Sequence, residues 1–165
     1  MERIIIISDT HKNQVLLRKT FSNEDNITHI FHLGDNYEDL DENFYLTEGK
    51  EIVKVPGIFH PGYLNKSLPA VQTTEISGWK FLLIHNIEDL KNPTNEADFF
   101  LFGHTHSWSF ERKKNSYFIN PGHLRKKSDK GHKPSYVVMD IGKNSITVYF
   151  KYIDGTVFRK EIINK

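Results

Sequence analysis

The chain contains no cysteine. That excludes a disulfide framework, thiolate metal ligation and a cysteine nucleophile, and leaves His and carboxylates as the available metal ligands. Net charge is almost absent as well: 22 Lys and Arg against 21 Asp and Glu leave +1 over 165 residues. Such a balance offers no long electrostatic track for nucleic acid, and an apolar content of 38% argues against disorder. No apolar run approaches the ~20 residues of a membrane-spanning helix, and Met1-Glu2-Arg3 followed by four isoleucines lacks the length and cleavage site of a signal peptide. The expectation is a cytoplasmic protein with no membrane contact, forming one domain over residues 1–165.

What is present is a series of short apolar runs, each ending in a polar cluster. Ile4 to Ile7 is β-branched throughout, as a strand buried on both faces would be, and runs into Ser8-Asp9-Thr10-His11. A helical pattern follows through Leu17 and Phe21. Thr28 to Leu33 reads as a second strand ending at Gly34-Asp35, Tyr37 to Leu46 as a short acidic helix, and Glu51 to Val55 as a third strand stopped by Pro56-Gly57. Residues 58 to 70 read as a loop. Thr73 to Ser77 and Lys80 to Ile84 form a hairpin around Gly78-Trp79, and His85 follows. A polar segment then reaches Ala97, before Phe99 to Phe102 ends at Gly103-His104-Thr105-His106. Ser107 to Arg112 pairs with Ser116 to Asn120, and two more strands lie around Gly142-Lys143-Asn144 and Asp154-Gly155. Parallel-type strands early and hairpins late predict an α/β fold, a four-layer αββα sandwich of two mixed β-sheets with flanking helices. In such sheets ligands bind beyond the C-terminal strand ends, where every His/Asp cluster of this chain falls.

Those clusters carry the chemistry. Asp9 and His11 offer a carboxylate and an imidazole two residues apart. Asp35 adds a carboxylate whose two oxygens can bridge two cations, with Gly34 permitting close backbone approach. His85 adds a third element, and His104 and His106 two further imidazoles. Alone, each has a bland reading, since an Asp after a strand often caps the next helix. Together they predict metal ligands at four strand ends. Two divalent ions about 3.5 to 4 Å apart clamp the attacking and leaving oxygens of an in-line phosphoryl displacement, and lower the pKa of the water they bind. Two such ions, two carboxylates, neutral imidazoles and a bridging hydroxide leave a small positive charge, which draws in a phosphate rather than a neutral amide.

These motifs make the sequence resemble the calcineurin-like metallophosphoesterases, specifically the small YfcE-type branch. The resemblance runs from Ile4 through His11, Leu33-Gly34-Asp35, His85 and Gly103 to His106, on to Asn120-Pro121-Gly122 and Pro134-Ser135-Tyr136. It implies an αββα sandwich that hydrolyses phosphodiesters or phosphomonoesters with two transition metals, often manganese (Mn2+), with Ni2+, Fe2+ and Zn2+ as alternatives. By that resemblance Asp9, His11 and His106 hold the first metal, Asp35 bridges and acts in catalysis, and His85 and His104 hold the second. The sequence departs from the family where Gly-Asn is usual: here it has Gly57-Ile58, and isoleucine can neither coordinate a cation nor donate to an oxyanion. Asn86 and His123 replace the usual glycine and serine.

Two histidines are predicted to compensate. His60 or His123 would supply the lost ligand or a general acid, the bland reading being that both are loop histidines. Arg125, Lys126, Lys127 and Lys130 would meet a distal phosphate or a nucleic-acid backbone, or else belong to a solvated loop. Trp108 is read as packing or as a stacking surface, and His32 as a partner behind Asp35. The expected partner is a small phosphate ester, with nucleic acid disfavoured by the charge balance and a homodimer suggested by Ile146 to Tyr152 as an edge strand. The competing function is a non-catalytic scaffold of the same fold, which Ile58 favours and the cost of burying clustered polar groups without a metal disfavours.

Overall fold

A computed structural model describes residues 1–91 and 97–165. The predicted polar segment before Ala97 lies partly outside the described residues.

One sheet holds six strands: β1 (Glu2–Ile7), β2 (His29–His32), β3 (Glu51–Lys54), β9 (Ser135–Ile141), β10 (Ser145–Tyr152) and β11 (Val157–Asn164), in the order β11-β10-β9-β1-β2-β3. The other holds five: β4 (Val71–Ile76), β5 (Trp79–Ile84), β6 (Phe99–Leu101), β7 (Ser109–Lys113) and β8 (Ser116–Asn120), in the order β4-β5-β6-β8-β7. β1, β2 and β3 run parallel, as do β5, β6 and β8, while β4, β7 and β9 pair antiparallel with their neighbours.

The isoleucine run shows why the sheets stack. Successive side chains of a strand point to opposite faces, so Ile4 and Ile6 enter the core shared with Phe81, Phe99 and Ile119 of the second sheet. Ile5 and Ile7 turn outward onto Leu17 and Phe21 of α1 (Gln14–Ser22). Asn13 caps that helix, its side chain accepting from Leu16 N at 3.1 Å, a contact worth about 1 kcal/mol.

The predicted two-sheet sandwich is therefore present, with thinner helical layers than expected. The acidic stretch from Tyr37 yields only α2 (Phe44–Thr47), because Asp39 is buried and bonded to Thr10, Gln14 and, through its carbonyl, Asn43. The loop after Gly57 carries the single turn α3 (Pro61–Leu64). Outside the second sheet, Leu82, Ile84 and Phe100 pack with Ile87 and Leu90, in and beside the short 3-10 helix Ile87–Asp89. The first hairpin turns at Ser77-Gly78, and the two late turns join three strands rather than two. Ile146 to Tyr152 belongs to β10, which is paired on both sides, so it is not an edge: β11 and β3 are. Trp108, partly buried, packs against Phe150 of the core and against Phe158, with ring centroids 5.6 and 5.2 Å away. No helix among the described residues is long and apolar enough to cross a membrane.

Candidate metal centre

The loops beyond β1, β2, β5 and β6 supply the site, and all four strands belong to parallel pairs. The loops are laced together: Asp9 N donates to Gly34 O at 3.0 Å, Gly103 N to His85 O at 2.9 Å, and His104 N to Asp9 Oδ2 at 3.0 Å. Asn120, at the end of β8, donates to Gly103 O and Thr105 Oγ1 and so fixes the last loop. Five of the six predicted ligands sit in the left-handed region, with φ of 53° at Asp9, 45° at His11, 52° at Asp35, 65° at His104 and 63° at His106. That conformation costs an L-residue roughly 1–2 kcal/mol, and Asp and His tolerate it better than most. Its recurrence at these positions marks the strand ends as a place where side-chain direction outweighs backbone comfort.

Asp9, His11, Asp35 and His106 bring one ligand atom each to within 4.8 Å of one another. His85 stands beside them, its Nε2 3.5 Å from Asp35 Oδ1 and 4.0 Å from Asp9 Oδ1. His104 joins through its ring, 5.3 Å from that of His85. The Asp35 oxygens face two ways, Oδ2 lying 3.2 Å from His11 Nε2 and Oδ1 toward His85. Two glycines make room. A Cβ on Gly57 would fall 2.0 Å from Asp35 Oδ1, and one on Gly34, whose φ is +104°, would fall 2.5 Å from His85 Nδ1.

The donor set fits a divalent cation. His85 Nδ1 lies 2.7 Å from Leu33 O, and a carbonyl only accepts, so Nδ1 carries the proton of the neutral ring and Nε2 presents a lone pair. Asp9 Oδ2 accepts from Ser8 Oγ and His104 N, leaving Oδ1 free. Both free atoms, Asp9 Oδ1 and His85 Nε2, are buried without a hydrogen-bond partner. Two acceptors aimed into one pocket repel unless a cation lies between them, and leaving them unsatisfied is costly.

Protonation follows the same geometry. Burial works to raise the Asp9 carboxyl, but the close approach of His106, the neighbouring His85 ring and the Ser8 bond outweigh it and hold Asp9 below the usual carboxylate range. The nearby Asp9 carboxylate lifts His106 above an ordinary histidine against the effect of burial. A proton and a cation therefore compete for His106 Nε2. His11 is pushed down, chiefly by burial and further by Arg125, although Asp35 opposes the shift.

His60 and His123 present no free ring nitrogen. His60 caps α3, with Nδ1 accepting from Gly62 N at 2.9 Å and Nε2 2.7 Å from Glu38 Oε1. His123 is fully buried, with Nδ1 accepting from Arg125 N and Nε2 donating to His132 O. Both rings spend both nitrogens on local structure, which removes the predicted ligand or general-acid role in this arrangement. His32 accepts from Gly34 N and faces Asp39 at 3.7 Å, bracing the Asp35 loop from behind. The residue the sequence reading missed is Asp129. It is buried and bonded to His106 Nδ1, and it also meets Lys126 at 3.2 Å and Arg125 at 3.5 Å.

The chain is an α/β sandwich of two mixed sheets with a cluster of His and Asp able to hold a cation at its parallel strand ends. It belongs to the calcineurin-like phosphoesterase superfamily, whose domain description matches residues 2–144. Solved structures share the fold at low identity. A Streptococcus pneumoniae protein described as a predicted phosphoesterase superposes with a TM-score of 0.74 at 23% identity, covering 99% of this chain and 98% of that one. Yfce, a phosphoesterase from E. coli, gives 0.69 at 17%, covering 98% and 100%. Vps29 from Entamoeba histolytica complexed with zinc gives 0.69 at 21%, covering 98% of both chains.

Proposed function

We infer that the chain is a metal-dependent phosphoesterase acting on a small phosphodiester or phosphomonoester. The observation that carries this reading is the pair of buried, partnerless acceptors, Asp9 Oδ1 and His85 Nε2, facing Asp35. Asp9, His11, Asp35 and His106 would hold one divalent ion, and Asp35, His85 and His104 a second, more weakly because Ile58 offers no oxygen. Manganese, nickel, iron or zinc suits such nitrogen and oxygen donors. Bound there, divalent ions supply Lewis-acid polarisation of phosphorus and a nucleophile at neutral pH. The chain's own part is orientation. Asp35 directs its two oxygens to different neighbours, Ser8 and His104 N fix Asp9, and Leu33 O fixes the His85 tautomer.

A second reading, a scaffold protein of the same fold, is favoured by Ile58 alone. Turnover of bis-p-nitrophenyl phosphate by protein reconstituted with manganese separates the two. We expect hydrolysis that Asp35→Asn abolishes; no turnover with any of the four metals would overturn the enzyme and favour the scaffold.

A further inference from the structure

Away from the ligand loops the described residues line an open cavity of about 450 Å³, a volume typical of small-molecule sites. Leu16 of α1, Pro134 and Ile153 give it apolar walls. Tyr152 adds a ring, which stacks on Phe158 with centroids 4.3 Å apart and has Lys133 Nζ 5.4 Å from its centre. Lys127 and Lys133 are both exposed there, and among the described residues neither is held in an ion pair. The wall's one acid, Asp154, is committed to its own turn, accepting from Thr156 N at 2.9 Å. Apolar walls, an aromatic ring and two free cations suit a flat organic body that carries a negative charge.

The cavity adjoins the metal centre along the chain. Asn13, on its wall, lies two residues after His11, a separation of at most about 7 Å between Cα atoms. The Asn13 amide donates to Arg125 O at 2.8 Å, fastening the loop that bears Lys127 to the start of α1. The same loop reaches the metal ligands through Asp129 and His106.

We propose that this cavity holds the leaving group of the substrate, a nucleotide-like anion whose flat ring packs by Tyr152 and whose phosphate meets Lys127 and Lys133. The proposal rests on the phosphoesterase reading for the other end of the substrate and narrows it to a diphosphate diester, in which the attacked phosphorus keeps its ester and the bond cleaved is the P–O–P linkage to the nucleotide. Its chemistry balances without a general acid. The oxygen of water bonds to phosphorus, the P–O bond to the nucleotide breaks, and the leaving phosphate oxygen takes the bonding pair as a stable anion while the water proton passes to solvent. A phosphate, whose second pKa is about 6, needs no proton to depart, which agrees with His60 and His123 having no ring nitrogen to spare.

The test is an amide NMR titration of the metal-free full chain with adenosine 5′-monophosphate, with adenosine and inorganic phosphate as separate controls. We expect saturable shifts at Asn13, Leu16, Tyr152 and Ile153. The Lys127→Ala/Lys133→Ala double variant, altered only at exposed side chains, should bind the nucleotide about tenfold more weakly or worse and take up manganese unchanged. Silence at those four amides, identical shifts from inorganic phosphate alone, or undiminished affinity in the double variant would each overturn the proposal. Neither metal nor turnover enters the nucleotide titration. A failure here therefore leaves the phosphoesterase reading standing, and an inactive enzyme leaves the cavity result intact.

Discussion

Asp129 accepts a hydrogen bond from His106 Nδ1, and both side chains are buried. The bond fixes the imidazole tautomer so that Nε2 points at Asp9 Oδ1, 3.2 Å away. The His106 bond, helped by Lys126 and opposed by desolvation, holds the Asp129 carboxyl far below the usual range. Carboxylates placed behind a ligating histidine raise its basicity, and losing one typically weakens metal affinity by about 10- to 100-fold. Asp129→Asn should show a loss of that size in manganese competition against a chelator, with an unchanged circular dichroism spectrum. Wild-type affinity would remove the positioning role.

Gly57 lies against the Asp35 carboxylate so closely that no side chain fits between them. Its φ is not in the left-handed region, so alanine is acceptable to the backbone and the conflict is purely one of space. Gly57→Ala should push Asp35 away from His85, at an overpacking cost of about 1–3 kcal/mol. Metal stoichiometry should fall further than stability does, read by elemental analysis beside a urea denaturation curve.

Ile58 and His60 make opposite predictions. Ile58→Asn supplies an oxygen ligand next to Gly57, which lies against Asp35, and the bound metal per chain should rise toward two under saturating manganese. His60→Ala removes a ring already bonded to Glu38 and Gly62 N, so stoichiometry should stay at the wild-type value while α3 loosens. A drop in bound metal in His60→Ala would show that the loop rearranges to bring the ring in.

Much of this was legible because it is local. Ile4 to Ile7 announced a strand buried on both faces, since its alternate side chains enter two different cores, and the His/Asp clusters announced themselves by following such runs. Asp129 gave no such signal. It sits in Lys126-Lys127-Ser128-Asp129-Lys130, a stretch with no apolar period, and its partner is 23 residues away. The acidic stretch from Tyr37 misled for a related reason: helical composition lost to the tertiary demand on Asp39, which Thr10 and Gln14 bind from other elements. His60 and His123 lie near the right loops, but only coordinates reveal that their nitrogens are taken.

His123 provides a pH test. Burial, only partly offset by the bond to His132 O, pushes its pKa below that of an ordinary histidine. In the window between that depressed value and the unfolded value near ~6.5, the unfolded chain holds a proton that the folded chain does not. Stability therefore rises with pH through the window; the contribution is complete above it and shrinks as the solution is acidified. His11, also depressed, acts with the same sign, and His106, raised, with the opposite one, so the wild-type profile alone cannot isolate His123. His123→Gln keeps one acceptor for Arg125 N and one donor for His132 O but does not titrate. Urea midpoints of the two metal-free chains, compared at about pH 5 and about pH 7.5 to straddle the unfolded value, should show a smaller acid loss in the variant. Equal losses would mean that His123 takes up its proton inside the folded chain, contrary to the two bonds that hold it neutral.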